Sequence, residues 1–253
     1  MNEMNLFEKP FNLSDKIEGN KPVTFFKGHV VVVDDISGET ILEKDNLVVL
    51  RGRTFALEKM FAIDNNIDGY NKTNLANKKI CLWKVGRGGC VSGEPFNVLA
   101  VEPNARALGD EIPFRVHENG TKPDEFKGVY YNPVQSEVVD ASGKNYTYYY
   151  AKSFDKMEWV KNTNEYGQMD EIALKLTLKI TEDDFRTVLK YDENDNPMWE
   201  RDTFINEIAL CIANYNEAAD RMDNIEIATK LTFESEPYFN NLKEATIYYY
   251  VYA

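Results

Sequence analysis

Histidine is nearly missing from this chain: 253 residues contain only His29 and His117. His29 opens an apolar run, His117 sits in an irregular stretch, and no Gly-x-Ser-x-Gly elbow exists. A hydrolytic triad is therefore excluded, and both rings are read as structural or surface groups. Cysteine is sparse too. Cys81, Cys90 and Cys211 are odd in number and share no close spacing. That excludes a zinc site and a disulfide framework, and it fits buried free thiols in a chain made in a reducing compartment.

Nothing in the chain approaches the roughly 20 apolar residues of a membrane span, and Met1-Asn-Glu-Met-Asn lacks a secretory signal pattern. Clusters of basic residues are absent as well; Lys78-Lys79 and Arg51-Gly-Arg53 stand alone. With a formal net charge of −13, the chain has no counterion-releasing surface for nucleic acid. A phosphate loop also fails. In Gly86-Arg-Gly-Gly89 with Gly93, the sequence continues into Glu94-Pro95, without the Lys and hydroxyl such a loop needs. A tight turn with positive φ is the expectation there.

What is present points to strands. Aromatic residues make up 13% of the chain, with 15 Tyr and 14 Phe, and flat rings suit pleated faces. Phe25 to Asp34, Asp35-Ile-Ser-Gly38 and the apolar residues up to Leu50 read as a hairpin. Arg51 to Ala62 switches to helical spacing through Phe55, Leu57, Met60 and Phe61. Ile80 to Val85 is a short strand. Residues 92–145, punctuated by five prolines, read as loops and short strands, an insertion or an elaborated edge. Tyr146 to Lys152 returns to strand. Ile172, Leu174, Leu176, Leu178 and Ile180 alternate inward. Thr181-Glu-Asp-Asp184 has capping-box spacing, predicting a short helix over Phe185 to Lys190.

Three further rows alternate near the C-terminus: Ile208, Leu210 and Ile212; Ile225 to Phe233; and Ile247, Tyr249 and Val251. Each predicts a strand buried on one face and wet on the other. The last is expected at a sheet edge or subunit contact, with Tyr248, Tyr250 and Tyr252, and with Tyr148 and Tyr149, as interface residues. The expected fold is mainly β: an antiparallel β-sandwich or barrel-like domain over 23–253 with one or two short helices, behind an N-terminal arm (1–22).

Asp64-Asn-Asn66-Ile-Asp68-Gly69 places oxygens as the first half of a calcium loop does. Leu75 and Lys72 stand where further ligands belong, so Asp64, Asn66 and Asp68 are read chiefly as a polar turn, with calcium the only cofactor candidate. Carboxylate pairs among 42 acidic residues are uninformative. Tyr148-Tyr-Tyr150 and Trp159 leave a carbohydrate-binding module as the alternative function.

Two stretches form an ordered set. The first runs from Val30 through Asp45-Asn46-Leu-Val-Val-Leu-Arg-Gly52 to Leu82-Trp-Lys-Val-Gly86-Arg-Gly-Gly89. The second is Ile205-Asn206-Glu207-Ile-Ala-Leu210, followed by Ala228 to Phe233 and the terminal strand. Together they resemble virion structural proteins of tailed bacteriophages, especially tail, baseplate and neck components; Arg87 departs from the small residue expected there. The resemblance implies a non-enzymatic subunit, made in the host bacterial cytoplasm and carried in the virion. Its implied partners are other virion proteins and further copies of itself.

Overall fold

The computed structural model describes residues 27–49, 51–52, 55–56, 78–91, 94–137, 142–163, 169–185, 189–191, 197–199, 205–219, 221–234 and 244–252. The expected arm (1–22), the polar turn carrying Asp64, Asn66 and Asp68, and most of the expected helix over 51–62 lie outside the described residues. Within that helix Arg51, Gly52, Phe55 and Ala56 are helical.

The chain is mainly β, as its alternation predicts, and one large antiparallel sheet curls into a half-barrel. The strands in chain order are β1 (Lys27–Asp34), β2 (Thr40–Val48), β3 (Lys78–Gly86), β4 (Cys90–Val91), β5 (Glu94–Val98), β6 (Glu111–Ile112), β7 (Arg115–Glu118) and β8 (Tyr130–Gln135). There follow β9 (Tyr146–Ser153), β10 (Lys156–Thr163), β11 (Met169–Ile180), β12 (Leu189–Tyr191), β13 (Pro197–Trp199), β14 (Glu207–Asn216), β15 (Arg221–Thr232) and β16 (Ala245–Tyr252). The spatial order is β10-β11-β16-β1-β2-β15-β14-β3-β9-β7, with β6 also on β3 and β8 on β9.

β2 is the bend. Its first part pairs with β1 from Thr40 to Asn46, whereas Leu47 and Val48 pair with Lys230 and Thr229 of β15. One strand thereby belongs to both halves of the sheet. The β1–β2 turn is closed by Asp34, whose Oδ1 accepts from the Ile36 N–H at 2.7 Å, and by Gly38 at φ +74. Positive φ there favours glycine.

The concave side is filled by Val30, Val32, Leu176, Leu178, Ile247 and Tyr249 from one half, and by Trp83, Val85, Phe114, Ile208 and Leu231 from the other. The Trp83 indole packs edge-on against Phe114 at 4.7 Å and donates to the Ser153 carbonyl at 3.1 Å. Each fully buried aliphatic side chain of this kind contributes about 1.5–3 kcal/mol.

Two expectations about the C-terminal rows need correction. β14 is not half wet: Ile208 to Ala213 are all buried, because Val49, Leu82, Leu108 and Ile227 cover its second face. β16 is not a sheet edge. It lies between β1 and β11 and pairs with both along its length. Alternation shows which face is apolar, not how many neighbours a strand has. The short helix expected over Phe185 to Lys190 is also displaced. A 3₁₀ turn occupies Glu182–Phe185, and Leu189 and Lys190 lie in β12. The capping geometry itself is present: Asp184 Oδ2 accepts from the Thr181 N–H at 2.8 Å.

The region 92–145 holds short strands, of which β6, β7 and β8 extend the main sheet beside β3 and β9. It is an elaborated edge.

The glycine run also works differently from its expected role. Positive φ is found at Gly38, Gly120, Gly128 and Gly143, and not at Gly86, Gly88 or Gly89. These three are glycine because backbone lies against them. A Cβ on Gly88 would stand 2.5 Å from the Gly109 Cα, and one on Gly89 would run into the Asn206 carbonyl oxygen. Gly89→Ala is expected to destabilise the fold by at least about 2 kcal/mol. Gly38→Ala, with open space around it, is expected to cost about 1 kcal/mol through its left-handed backbone alone. Urea denaturation midpoints of the two variants check the order.

The three cysteines are free, with Cys211 buried. Burial pushes the Cys211 thiol from its ordinary 9.0 up to about 12, and burial raises the Tyr249 hydroxyl as well. Above pH 9 the unfolded chain releases the thiol proton while the native chain keeps it. This contribution to stability is therefore complete below pH 9 and lost as pH rises toward 12. Denaturation midpoints measured from about pH 8 to about pH 10.5 are expected to fall, and Cys211→Ala to fall less steeply.

Candidate assembly surface

Chemistry-bearing side chains gather first inside the fold. Asp184 is fully buried. Its Oδ1 accepts from the Tyr130 hydroxyl at 2.6 Å and from Arg115 Nε at 3.3 Å. Its Oδ2 accepts from Lys152 Nζ at 3.0 Å and from the Thr181 hydroxyl at 2.9 Å. Lys152, itself buried, also donates to the Lys179 carbonyl at 2.7 Å. The Tyr130 phenol is raised well above its ordinary range, first by burial and then by its bond to Asp184. Arg115 stacks over Phe126 and Tyr130. The carboxylate's accepting capacity is spent on its own neighbours, so the cluster braces β7, β8, β9 and the 3₁₀ turn together. Sequence spacing marked Asp184 only as a cap; its partners come from strands far away in the chain.

A second buried node carries the motif residues. The Asn206 N–H donates to the Gly86 carbonyl at 3.0 Å, its side-chain Oδ1 accepts from the Gly89 N–H at 2.7 Å, and its carbonyl accepts from the Phe233 N–H at 3.1 Å. Glu207, fully buried, accepts from the Gly109 N–H at 2.7 Å and pairs with Lys230 at 2.5 Å. Arg87 pairs with Asp110 beside it. Across the sheet, Asn46 donates through Nδ2 to the Tyr249 hydroxyl, which donates to Thr229 at 2.6 Å. Gly52 lies against the Ala228 carbonyl with no room for a Cβ. The motifs that read as a signature are thus the joints of the sheet.

The histidines are engaged as structural or surface groups. His29 bonds Asp45 at 2.8 Å and Glu43 at 3.1 Å, and His117 bonds the Tyr149 hydroxyl at 2.9 Å.

The tyrosines expected at an interface divide into three situations. Tyr149 is a core residue, packed on Phe126, Tyr130 and His117; its place in the interface set is corrected. Tyr248 and Tyr250 are half-buried on the convex face, where Lys175 Nζ lies 4.0 Å from the centre of the Tyr248 ring. Tyr252 pairs through its backbone with Lys27 and Ala173. Tyr148 is half-buried on β9, opposite Val116 and Val134. β1, β2, β15, β14 and β3 separate it from Tyr248 and Tyr250, so the tyrosines do not form one patch.

Sequence reading missed the sheet's bare side. Among the described residues β10 pairs only with β11. Met157 is 61% exposed and Trp159 68% exposed. They stand opposite Leu176 and Leu174, on the concave face. The alternation of Met157 and Trp159 against Glu158 and Val160 was the available signal. Behind them a cavity of about 250 Å³ opens between the two halves, lined by Phe154, Met157, Leu174, Tyr249 and Val251 from one half and Ile80 and Leu210 from the other. The β8 side of β9 is protected. β8 carries Pro133 and a left-handed Asn132 at φ +60, devices that stop a further strand from pairing. Phe96, 67% exposed on β5, adds an apolar tip in the 92–145 region.

Asp184→Ala is expected to cost about 3–5 kcal/mol, because it leaves Lys152 buried without its carboxylate. Asp184→Asn retains the accepting oxygen and is expected to cost less; thermal unfolding of the pair separates the two.

No family model, no curated protein and no solved structure matches this chain.

Proposed function

We propose that this chain is a non-enzymatic structural subunit of a tailed phage particle, which joins its neighbours through sheet surfaces and loops. The observation that carries the reading is a division of labour between polar and apolar groups. The conspicuous buried charges, Asp184, Lys152 and Glu207, are bonded within the fold. Large apolar side chains, Met157, Trp159 and Phe96, are instead presented to solvent on a sheet border and a short hairpin. Exposed aromatics on an unprotected border mark a surface that another chain covers. The ordered motifs resembling virion proteins support the same reading, since an assembly subunit needs a stiff sheet and the motif residues make it stiff.

A carbohydrate-binding face draws less support. Such a platform gathers aromatic rings in one place, and here Tyr148 and Tyr150 lie on the face of β9 opposite the core ring Tyr149, whereas Trp159 lies on the concave face of β10.

Mass spectrometry of purified particles, combined with chemical cross-linking, tests the proposal. The chain is expected at stoichiometric abundance with cross-links to other virion components. Particles lacking it would sink the reading.

A further inference from the structure

We infer that the β10 border is a contact between two copies of this chain, joined edge to edge about a two-fold axis at Met157. The inference rests on the assembly reading above and names the contact within it.

The border strand reads Lys156-Met-Glu-Trp-Val-Lys-Asn-Thr163 and has no proline. Such a strand, paired on one side only among the described residues, offers its outer backbone groups to another strand. A two-fold axis perpendicular to the sheet pairs antiparallel edges while keeping both concave faces on the same side. Residues that face each other across it then share a face.

Charge selects the register. Centred on Met157, the pairing sets Lys156 opposite the partner's Glu158 and Glu158 opposite the partner's Lys156. Centring it on Glu158 or on Lys161 opposes like charges directly. Centring it on Trp159 or Val160 leaves Glu158 opposite Val160 or Asn162. Opposite charges across an antiparallel pair contribute and like charges cost, so the Met157 register is preferred. In one chain Lys156 and Lys175 already flank Glu158, so the carboxylate is held on the border beside its own lysines.

The same register places Trp159 opposite the partner's Asp155, whose neighbour Phe154 lines the cavity together with Met157. Each exposed indole is thereby brought to the rim of the other copy's cavity. Two Trp159 side chains and two Met157 side chains leave water in one event. The net charge of −13 per chain opposes random association of copies, and the Lys156–Glu158 pairs across the axis offset part of that repulsion.

Sedimentation velocity and light scattering of the full chain test this. The wild type is expected to dimerise with rising concentration. Glu158→Lys is expected to weaken the dimer by at least about tenfold, because it opposes lysines on both sides of the axis. The double swap Lys156→Glu with Glu158→Lys is expected to restore it, which a merely unfolded variant would not do. Met157→Cys is expected to form a symmetric disulfide under an added oxidant, with the wild type as the control for Cys81, Cys90 and Cys211. A wild type that stays monomeric at its highest soluble concentration overturns the contact. So does a dimer indifferent to Glu158→Lys, or a Met157→Cys chain that fails to cross-link. Particles that contain the chain without this contact would leave the assembly reading standing and remove only the β10 interface. A dimer that never enters particles would do the reverse.

Discussion

The arrangement depends on one buried junction, where Asn206 and Glu207 meet the glycines that end β3. A carboxylate with no exposure is costly unless it is paired and hydrogen-bonded. Glu207 meets that demand through the Gly109 N–H and Lys230. Asn206 does similar work with three main-chain groups, at Gly86, Gly89 and Phe233. The glycines let those segments approach to backbone contact. Together they anchor the start of β14, whose ladder runs along β3 on one side and β15 on the other. The rest of the concave core is built on that ladder.

A corresponding junction lies at the bend. β2 changes partner from β1 to β15 within one strand, and Asn46, at the changeover, reaches Tyr249 and through it Thr229. The polar chain crosses from one half of the sheet to the other inside an apolar core. Buried polar networks of this kind restrict the ways two sheets can slide over each other. Tyr249 also explains why the third C-terminal row combines aromatic with aliphatic residues: the ring fills the core and its hydroxyl closes the network.

Much of the fold was legible because alternation and turn chemistry are local. The β1–β2 hairpin, β9, β11 and β16 follow from period-two patterns and from Gly38, and the mainly β class follows from them. What was not legible depends on neighbours. Ile208, Leu210 and Ile212 alternate with Ala209, Cys211 and Ala213, and small apolar residues on the second face gave no sign that Leu82 and Ile227 would cover them. The terminal strand looked like a border, yet β11 returns to pair with it. Gly86 to Gly89 were recognisable as a special backbone site, but close approach and positive φ leave the same glycine in the sequence. The candidate surface was the least legible part. Met157 and Trp159 alternate as well as any core row, and only the sheet order shows that, among the described residues, no second strand pairs with β10.

The contrast between the two borders of the sheet has a consequence for polymer growth. β8 is blunted by Pro133 and Asn132, so it offers no site for adding a strand. A sheet with two open sides can extend without limit into a fibre, chain after chain. The contact inferred at β10 is matched to itself, so the first union uses up that border. Growth through β10 would therefore end with the pair: once two sheets join there, no third chain can add at that border.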